Sequence, residues 1–322
     1  RESILLHKEQ SHIGNKTKIM SNLVVNRNGN KRPFTVRHVV SGCAVLLIAV
    51  AVLFGGAESS EAGYASIILD ADTGEVLRSR NADTRNYPAS LTKMMTLYML
   101  FEELDAGRMQ LSDKLPVSKR AAGQPASKLG LKRGATITVN MAIMALATKS
   151  ANDVATVIAE GISGTEWEFA VAMTKRARAL GMKHTRFKNA SGLPNRKQLS
   201  SARDMGVLAM AILRDFPHYY DYFSTKSFRY NRKTHRTHNN LLNSYPGMDG
   251  LKTGYIRASG FNLVASAVRD GRRIIAVVFG GRTAQSRDQH MVKLLDLGFE
   301  RVAQRDQRAG VKQFAVLNSR KA

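Results

Sequence analysis

The chain has 322 residues and a formal net charge of +24, with 49 lysines and arginines against 25 acidic residues. This length allows one large domain or two small ones. So strong a positive charge favours a polyanionic partner, and nucleic acid is the first candidate. The only cysteine, Cys43, rules out an intramolecular disulfide and a site in which several cysteines ligate zinc.

Near the N-terminus, a basic segment is followed by an apolar one, and this order narrows the choice of polyanionic partner. Basic residues from Arg27 to Arg37 precede an apolar run over residues 39–54, which Ser60-Glu61-Ala62 follows. This order is typical of a bacterial secretory signal peptide, although the run is also long enough to remain as a membrane anchor. We therefore expect residues 1–62 to be a leader that exports the protein to the cell envelope, the periplasm. Export excludes nucleic acid and leaves the anionic membrane surface and the cell wall as partners.

Apolar spacing predicts strands at both ends of the exported part and helices between them. Two strands, at residues 65–71 and 75–79, flank Asp72-Thr73-Gly74 and predict a β-hairpin. Helical patterns follow over residues 91–104, 140–148, 153–160, 166–180 and 202–214. Strands are predicted over residues 227–231, 261–268 and 273–279, and a last helix over 284–297. The order predicts an α/β fold of the α+β type over residues 63–300, followed by a short basic tail over 301–322.

Ser90-Leu91-Thr92-Lys93 begins one of these helices, just after Pro88. A serine hydroxyl needs a base within hydrogen-bond reach, and residues three apart share one helix face. Lys93 can act as that base only if it is neutral, which burial or a second cation such as Lys252 would promote. Taken alone, the motif is more often a helix cap followed by a solvated lysine.

Two further motifs follow in the chain, and each occurs once. Ser150-Ala151-Asn152 comes after a predicted buried helix, where the serine hydroxyl can relay a proton and the amide can hold a substrate or orient the lysine. Lys252-Thr253-Gly254 suits recognition of a carboxylate, and its glycine allows close backbone approach. Alone, the first would be a pair of helix caps and the second a turn. The three motifs in one order argue against coincidence.

The segments around the first and third motifs, Tyr87–Thr96 and Asp249–Tyr255, resemble the D-alanyl-D-alanine carboxypeptidase family, the low-molecular-mass penicillin-binding proteins. The resemblance runs from about residue 64 to about residue 299. It implies an antiparallel five-stranded sheet flanked by helices, a β-lactamase/transpeptidase-like fold. The active-site cleft then lies where the helical and sheet subdomains meet.

The resemblance also implies a role for each matched residue. Ser90 is the acylated nucleophile, Lys93 its general base and Ser150 the third catalytic side chain. The backbone N–H groups of Ser90 and Tyr255 form the oxyanion hole. The substrate-binding residues are Asn152, Lys252, Thr253, Gly254, Tyr255 and Arg287, with Arg282 as the alternative to Arg287 for the substrate carboxylate.

The implied reaction removes the terminal D-alanine from peptidoglycan stem pentapeptides through an acyl-enzyme, without a cofactor or a metal. β-Lactam antibiotics are the expected inhibitors. A D,D-endopeptidase uses the same machinery and stays open. A β-lactamase would need a glutamate for deacylation, but none of Glu160, Glu166 and Glu168 lies in a matching context. A non-enzymatic wall-binding module would predict a broken motif, whereas all three are intact.

His235 and His238 lie three residues apart in a basic stretch and could form part of a zinc site. No carboxylate nearby completes a ligand set. We therefore expect both to be solvated loop histidines.

Overall fold

A five-stranded antiparallel sheet organises residues 63–319, which are the residues that this computed structural model describes. The expected leader, residues 1–62, lies outside them. The strands run in the spatial order β2-β1-β9-β8-β7, which confirms the predicted sheet. Two hairpins, β3-β4 and β5-β6, stand apart from it. The strands are β1 (Ala65–Asp70), β2 (Val76–Arg80), β3 (Lys114–Pro116), β4 (Thr136–Thr138), β5 (Ser227–Tyr230), β6 (Lys233–Arg236), β7 (Met248–Ile256), β8 (Gly260–Arg269) and β9 (Arg272–Gly281).

Turn chemistry fixes two of the sheet's hairpins. Between β8 and β9, Asp270 and Gly271 both have positive φ angles, 51° and 72°, as a two-residue turn that matches the strand twist requires. Between β1 and β2, the Asp70 carboxylate accepts hydrogen bonds from the backbone N–H groups of Asp72 and Thr73. The hairpin predicted at this end of the domain is therefore confirmed.

Helices cover both faces of the sheet. They are α1 (Thr92–Asp105), α2 (Lys119–Ala122), α3 (Val139–Met144), α4 (Asn152–Ser163), α5 (Glu166–Ala179), α6 (Ala202–Asp215), α7 (Leu241–Ser244) and α8 (Ala284–Ser319). Successive residues of β1 point to opposite faces, so Ile67 belongs to the larger core with α1, α4 and α6, whereas Ile68 belongs to the core beneath α8. Close packing explains Gly298 of α8, where an added Cβ would lie 2.9 Å from the Ile68 side chain.

The last helix continues far beyond the end at residue 297 that apolar spacing predicts, and it reaches Ser319. The segment expected to be a tail therefore begins inside α8. Val302 is buried there, and Arg305 forms ion pairs with Asp70 at 2.7 Å and Glu75 at 2.9 Å. Ion pairs leave no apolar periodicity, which is why the sequence pattern missed this part of the helix. Among the described helices, none combines the length and apolar character needed to cross a membrane.

Other differences are local. The strand predicted at residues 227–231 pairs with β6 in a separate hairpin, and the short pair β3-β4 was not predicted. The helix predicted at residues 140–148 is α3 followed by a wider π-turn over Ala145–Lys149. The strands β3 and β4 are too short for periodicity to identify, because a few apolar positions fit either a helix or a strand.

The aromatic centre of the larger core yields a stability prediction. Phe101 is fully buried, and its ring stacks on Tyr219 with 4.9 Å between centroids and contacts Phe216 and Phe223. Phe101→Ala is expected to lower the free energy of unfolding by about 3–5 kcal/mol, because it leaves a cavity. Urea denaturation measures this. Trp167→Ala, at a side chain that is 72% exposed, is the control and should change stability by less than about 0.5 kcal/mol. A loss below about 1 kcal/mol in Phe101→Ala would contradict the prediction.

Candidate active site

Ser90 lies in a short 3₁₀ turn, Ala89–Leu91, immediately before α1. Ala89 has a positive φ of 49°, an uncommon conformation for a residue with a side chain. Gly192 packs against this turn so closely that an added Cβ would lie 1.8 Å from the Ala89 carbonyl oxygen. The packing holds the turn in place and leaves the Ser90 side chain half-buried at the start of the helix.

Lys93 is fully buried one turn along the same helix. Its Nζ lies 3.0 Å from Ser90 Oγ, 2.8 Å from Asn152 Oδ1 and 2.5 Å from the carbonyl oxygen of Ser191. A neutral amine has two N–H bonds and one lone pair. The two N–H groups satisfy the amide and carbonyl oxygens, and the lone pair is left to accept the Ser90 hydroxyl proton.

The electrostatics favour that neutral form. Burial lowers the pKa of Lys93 well below its ordinary value, and the nearby Lys252 cation lowers it further. The carboxylates of Asp153 and Glu166 oppose this shift but do not reverse it. The geometry and the pKa therefore both suit Lys93 to take a proton from Ser90.

Ser150 and Asn152 form a second wall of the site. Ser150 follows the π-turn in a left-handed conformation, with φ 60°, and its buried hydroxyl has no hydrogen-bond partner among the described residues. Asn152 begins α4, and its side-chain amide donates to the Pro125 carbonyl at 3.0 Å while its oxygen faces Lys93. A free hydroxyl and an oriented amide therefore sit beside the Ser90–Lys93 pair.

Asp153 is a structural residue of this wall to which the sequence analysis assigned no role. Its buried carboxylate accepts hydrogen bonds from the backbone N–H groups of three successive residues, Leu129, Gly130 and Leu131, at 3.0, 2.8 and 3.1 Å. It thus ties the loop that carries Ser127 to α4. An acidic residue in the first turn of a helix is the ordinary sign of a cap, so the sequence held no signal for this longer-range contact.

Strand β7 supplies the third wall and is an edge strand of the sheet. Lys252 is buried, its Nζ donates to the Thr253 carbonyl at 3.0 Å, and burial together with Arg287 lowers its pKa to about 7. An added Cβ on Gly254 would lie 3.0 Å from the Pro88 carbonyl oxygen and 3.2 Å from the Ser90 nitrogen. Only glycine allows the strand to approach the serine turn this closely.

Asn262 of β8 holds this junction together and was not predicted from the sequence. Its side-chain amide donates to the Tyr87 carbonyl at 3.1 Å and to Ser259 Oγ at 3.1 Å, while its oxygen accepts from Gly280 N–H at 3.2 Å. The side chain therefore joins the segment before Ser90 to two strands. An asparagine inside an apolar strand pattern was the available signal.

Arg287 and Tyr255 complete the set. The Arg287 guanidinium is buried and is fixed by Asp288 at 2.6 Å and by the Asn262 carbonyl at 3.3 Å. The Tyr255 ring is 55% exposed and packs on Phe261, with 4.3 Å between centroids. Arg282, the alternative to Arg287, is exposed and does not line the cleft.

One cleft of about 570 Å³ joins these elements. It is lined by seven of the predicted site residues, namely Ser90, Ser150, Asn152, Thr253, Gly254, Tyr255 and Arg287. Lys93 and Lys252 are buried behind its surface. Burial shields the positive charge of Lys252 from water, which strengthens its electrostatic effect on anything that the cleft binds.

The two histidines differ in position. His238 lines the cleft with its side chain still open to solvent, and partial desolvation there together with several cations lowers its pKa to about 4 and keeps it neutral. His235 is buried on β6 and stacks on Phe228, so the prediction of a solvated loop residue was wrong for it. Strand pairing put its ring on the inner face of the hairpin. Within residues 63–319, no group of three or more potential ligating side chains is placed to hold a metal.

Comparison with known proteins identifies the family. A sequence profile described as D-alanyl-D-alanine carboxypeptidase matches residues 56–283. The chain belongs to this family. DacF of Bacillus subtilis, a D-alanyl-D-alanine carboxypeptidase, is 37% identical over 252 residues, which cover 76% of this chain and 64% of DacF. The match therefore spans less than two thirds of that relative.

Solved structures agree. Penicillin binding protein 5 of Haemophilus influenzae superposes with a TM-score of 0.72 at 35% identity, covering 74% of this chain and 71% of its own. Penicillin-binding protein D2 of Listeria monocytogenes, solved in its ampicillin-bound form, superposes with a TM-score of 0.67 at 30% identity. The match covers 75% of this chain and 98% of the Listeria chain. The expected fold is confirmed by these neighbours.

The proximity of the two buried lysines yields a prediction. Lys252→Ala is expected to raise the pKa of Lys93, because it removes the cation that disfavours a second positive charge. NMR titration of side-chain-labelled lysines measures the shift. The acid limb of any reaction that requires neutral Lys93 should then move to higher pH.

The matched control is Lys149→Ala. This substitution removes a cation that lowers the pKa of His238 in the cleft but has no part in lowering the pKa of Lys93. It should leave the Lys93 titration unchanged. An unaltered Lys93 pKa in Lys252→Ala would refute the coupling.

Proposed function

We propose that this protein is a serine D,D-carboxypeptidase that removes the terminal D-alanine from peptidoglycan stem pentapeptides. The observation that carries the proposal is the buried Lys93 amine at 3.0 Å from Ser90 Oγ, with its pKa lowered by burial and by Lys252. Membership of the carboxypeptidase family supports the same activity. Each site residue then takes a definite role.

In the first step Ser90 Oγ attacks the carbonyl carbon of the penultimate D-alanine, and its proton passes to neutral Lys93. The backbone N–H groups of Ser90 and Tyr255 stabilise the negative oxygen that forms. The C–N bond then breaks, and the proton that Lys93 took from Ser90 passes through the Ser150 hydroxyl to the departing amine of the terminal D-alanine, which leaves Lys93 neutral again. An ester on Ser90 remains.

In the second step water attacks this ester. Lys93 accepts the proton from water and returns it to Ser90 Oγ as the ester bond breaks, which restores the free serine and releases the shortened peptide. Asn152 holds the substrate amide and orients Lys93. Lys252, Thr253 and Arg287 receive the carboxylate of the terminal D-alanine, which their cations and hydroxyl suit.

The charges of the cleft argue against a β-lactamase. No acidic side chain lines the cleft among the described residues. Glu166 is buried and binds Arg120 and the Ala190 N–H, Glu160 accepts from Ser118, and Glu168 accepts from Thr165. None of these glutamates is free to activate a deacylating water, so β-lactams should form long-lived esters. D,D-endopeptidase activity shares the whole mechanism and is separated from carboxypeptidase activity by assay with cross-linked substrate.

We also propose that the protein acts in the periplasm. Support comes from the signal-like sequence before residue 63 and from a stem-peptide substrate that lies outside the cytoplasm. The net charge of +24 suits adhesion to an anionic membrane surface or to the cell wall. N-terminal sequencing of protein recovered from the envelope distinguishes a chain released near Gly63 from one that keeps the leader as an anchor.

The nucleophile yields a direct test. Wild-type protein incubated with penicillin is expected to gain the mass of one penicillin on Ser90, and it should release D-alanine from a peptide that ends in D-Ala-D-Ala. Intact-protein and peptide-mapping mass spectrometry locate the adduct. Ser90→Ala should show neither activity, whereas Ser286→Ala, at a serine on the surface of α8, should retain both. An adduct on another residue would overturn the assignment.

The base yields another test. Lys93→Arg is expected to slow acylation by at least about 100-fold, because a guanidinium stays protonated at every working pH and cannot accept the Ser90 proton. Stopped-flow acylation with a chromogenic cephalosporin measures the rate, and circular dichroism establishes that the variant is folded. A folded variant that acylates at nearly the wild-type rate would exclude Lys93 as the base.

A further inference from the structure

Arg257 is a cation at the mouth of the cleft to which the mechanism above assigns no role. It follows β7 directly, its side chain is exposed, and it lines the same cleft as Ser90. No hydrogen bond or ion pair joins its guanidinium to any of the residues that the structure describes. The charge is therefore available to a ligand.

The direction of the strand shows which part of a substrate meets Arg257. The terminal carboxylate is placed at Lys252 and Thr253, and the attacked carbonyl lies beside Ser90, where Gly254 approaches it most closely. A peptide bound along the β7 edge therefore runs antiparallel to the strand, with its preceding residues toward Ile256. Ile256 ends the strand and Arg257 is the first residue of the turn that follows, so Arg257 lies at most about 7 Å beyond Tyr255. This is the level of the residue that precedes D-Ala-D-Ala.

The surroundings reinforce this positive charge. Among the residues that the structure describes, the charged side chains lining the cleft are Arg257 and Arg287, and no carboxylate opposes them there. His238 also lines the cleft and stays neutral, because partial desolvation and the cations Lys252 and Lys149 lower its pKa to about 4. Two carboxylates adjoin lining residues in the chain and are already engaged: Asp288, next to Arg287, pairs with it, and Asp153, next to Asn152, accepts hydrogen bonds from backbone N–H groups.

We propose that Arg257 selects stem peptides whose third residue, the one before D-Ala-D-Ala, carries a side-chain carboxylate, and that it disfavours those whose third side chain ends in an amine. A diaminodicarboxylic acid has such a carboxylate, whereas lysine has only the amine. The inference rests on the proposed function, because it assigns a preference to the same cleft. Charge complementarity of this kind at a partly exposed rim gives discrimination more than raw affinity.

Three N-acetylated tripeptides X-D-Ala-D-Ala test the proposal, with X as α-aminoadipate, norleucine or lysine. Their side chains are similar in length and end in a carboxylate, a methyl group and an ammonium. We expect kcat/KM, from enzyme-coupled detection of D-alanine, to be about fivefold higher for aminoadipate than for lysine, with norleucine between them. Raising the salt concentration to about 0.5 M should narrow the ratio, because exposed charges are screened.

Variants assign the preference to one side chain. Arg257→Gln should bring the aminoadipate-to-lysine ratio close to one, and Arg257→Glu should invert it. The matched control is Arg78→Gln, the same substitution at an exposed arginine on β2, the opposite edge of the sheet from β7. It should keep the wild-type ratio.

The outcomes separate the two proposals. Turnover of the norleucine substrate tests the carboxypeptidase activity by itself, and its absence together with no turnover of the other two peptides would overturn both proposals. Turnover with equal kcat/KM for the three peptides would overturn the selectivity alone. A ratio that Arg257→Gln leaves intact would show that another cation is responsible, and would overturn the role of Arg257.

Discussion

The burial of one amine is the constraint on which the rest of the site depends. Lys93 has no contact with solvent, and removing an ammonium from water is costly unless the group gives up its proton. Its Nζ meets three oxygen atoms, from Ser90, Asn152 and Ser191, which together match the hydrogen-bonding capacity of a neutral amine. These atoms come from α1, from the start of α4 and from the loop after residue 190. By bringing three separate segments around an ordinary lysine, the fold favours its neutral form and so suits it to act as a base.

The same positive charges suit both the binding of an anionic substrate and the transfer of a proton. Burial lowers the pKa of both lysines; Lys252 lowers that of Lys93 further, and burial together with Arg287 brings the pKa of Lys252 to about 7. An anionic substrate relieves this repulsion when it binds, so the cost of keeping cations close together is partly recovered in the complex. Close backbone contact makes the arrangement possible, because Gly254 lets β7 lie against the turn that carries Ser90. The walls that the described residues form carry no carboxylate, which suits this cleft to an anionic ligand.

Much of the fold could be predicted from local patterns, and the misses have physical causes. The β1-β2 hairpin, the helices α1, α4, α5 and α6, and the strands β8 and β9 have enough periodic residues to be recognised. Helix α8 was cut short because ion pairs of Arg305, and not apolar residues, hold its later turns. His235 was taken for a solvated residue because pairing within a four-residue hairpin decides which face is buried. Such contacts join residues far apart in the chain and leave no local trace.

The sequence by itself determined which chemical groups are present and that they come in three separate motifs, since Ser90, Lys93, Ser150, Asn152 and the Lys252–Gly254 triplet stand out by type and spacing. The i, i+3 spacing on a helix even placed Lys93 beside Ser90. Tertiary structure alone decided that Lys93 is buried, that Asp153 anchors the facing loop and that Asn262 joins the serine turn to the sheet. The physical reason is that a pKa depends on the solvent and charges around a group, and these are set by segments that meet only when the chain folds.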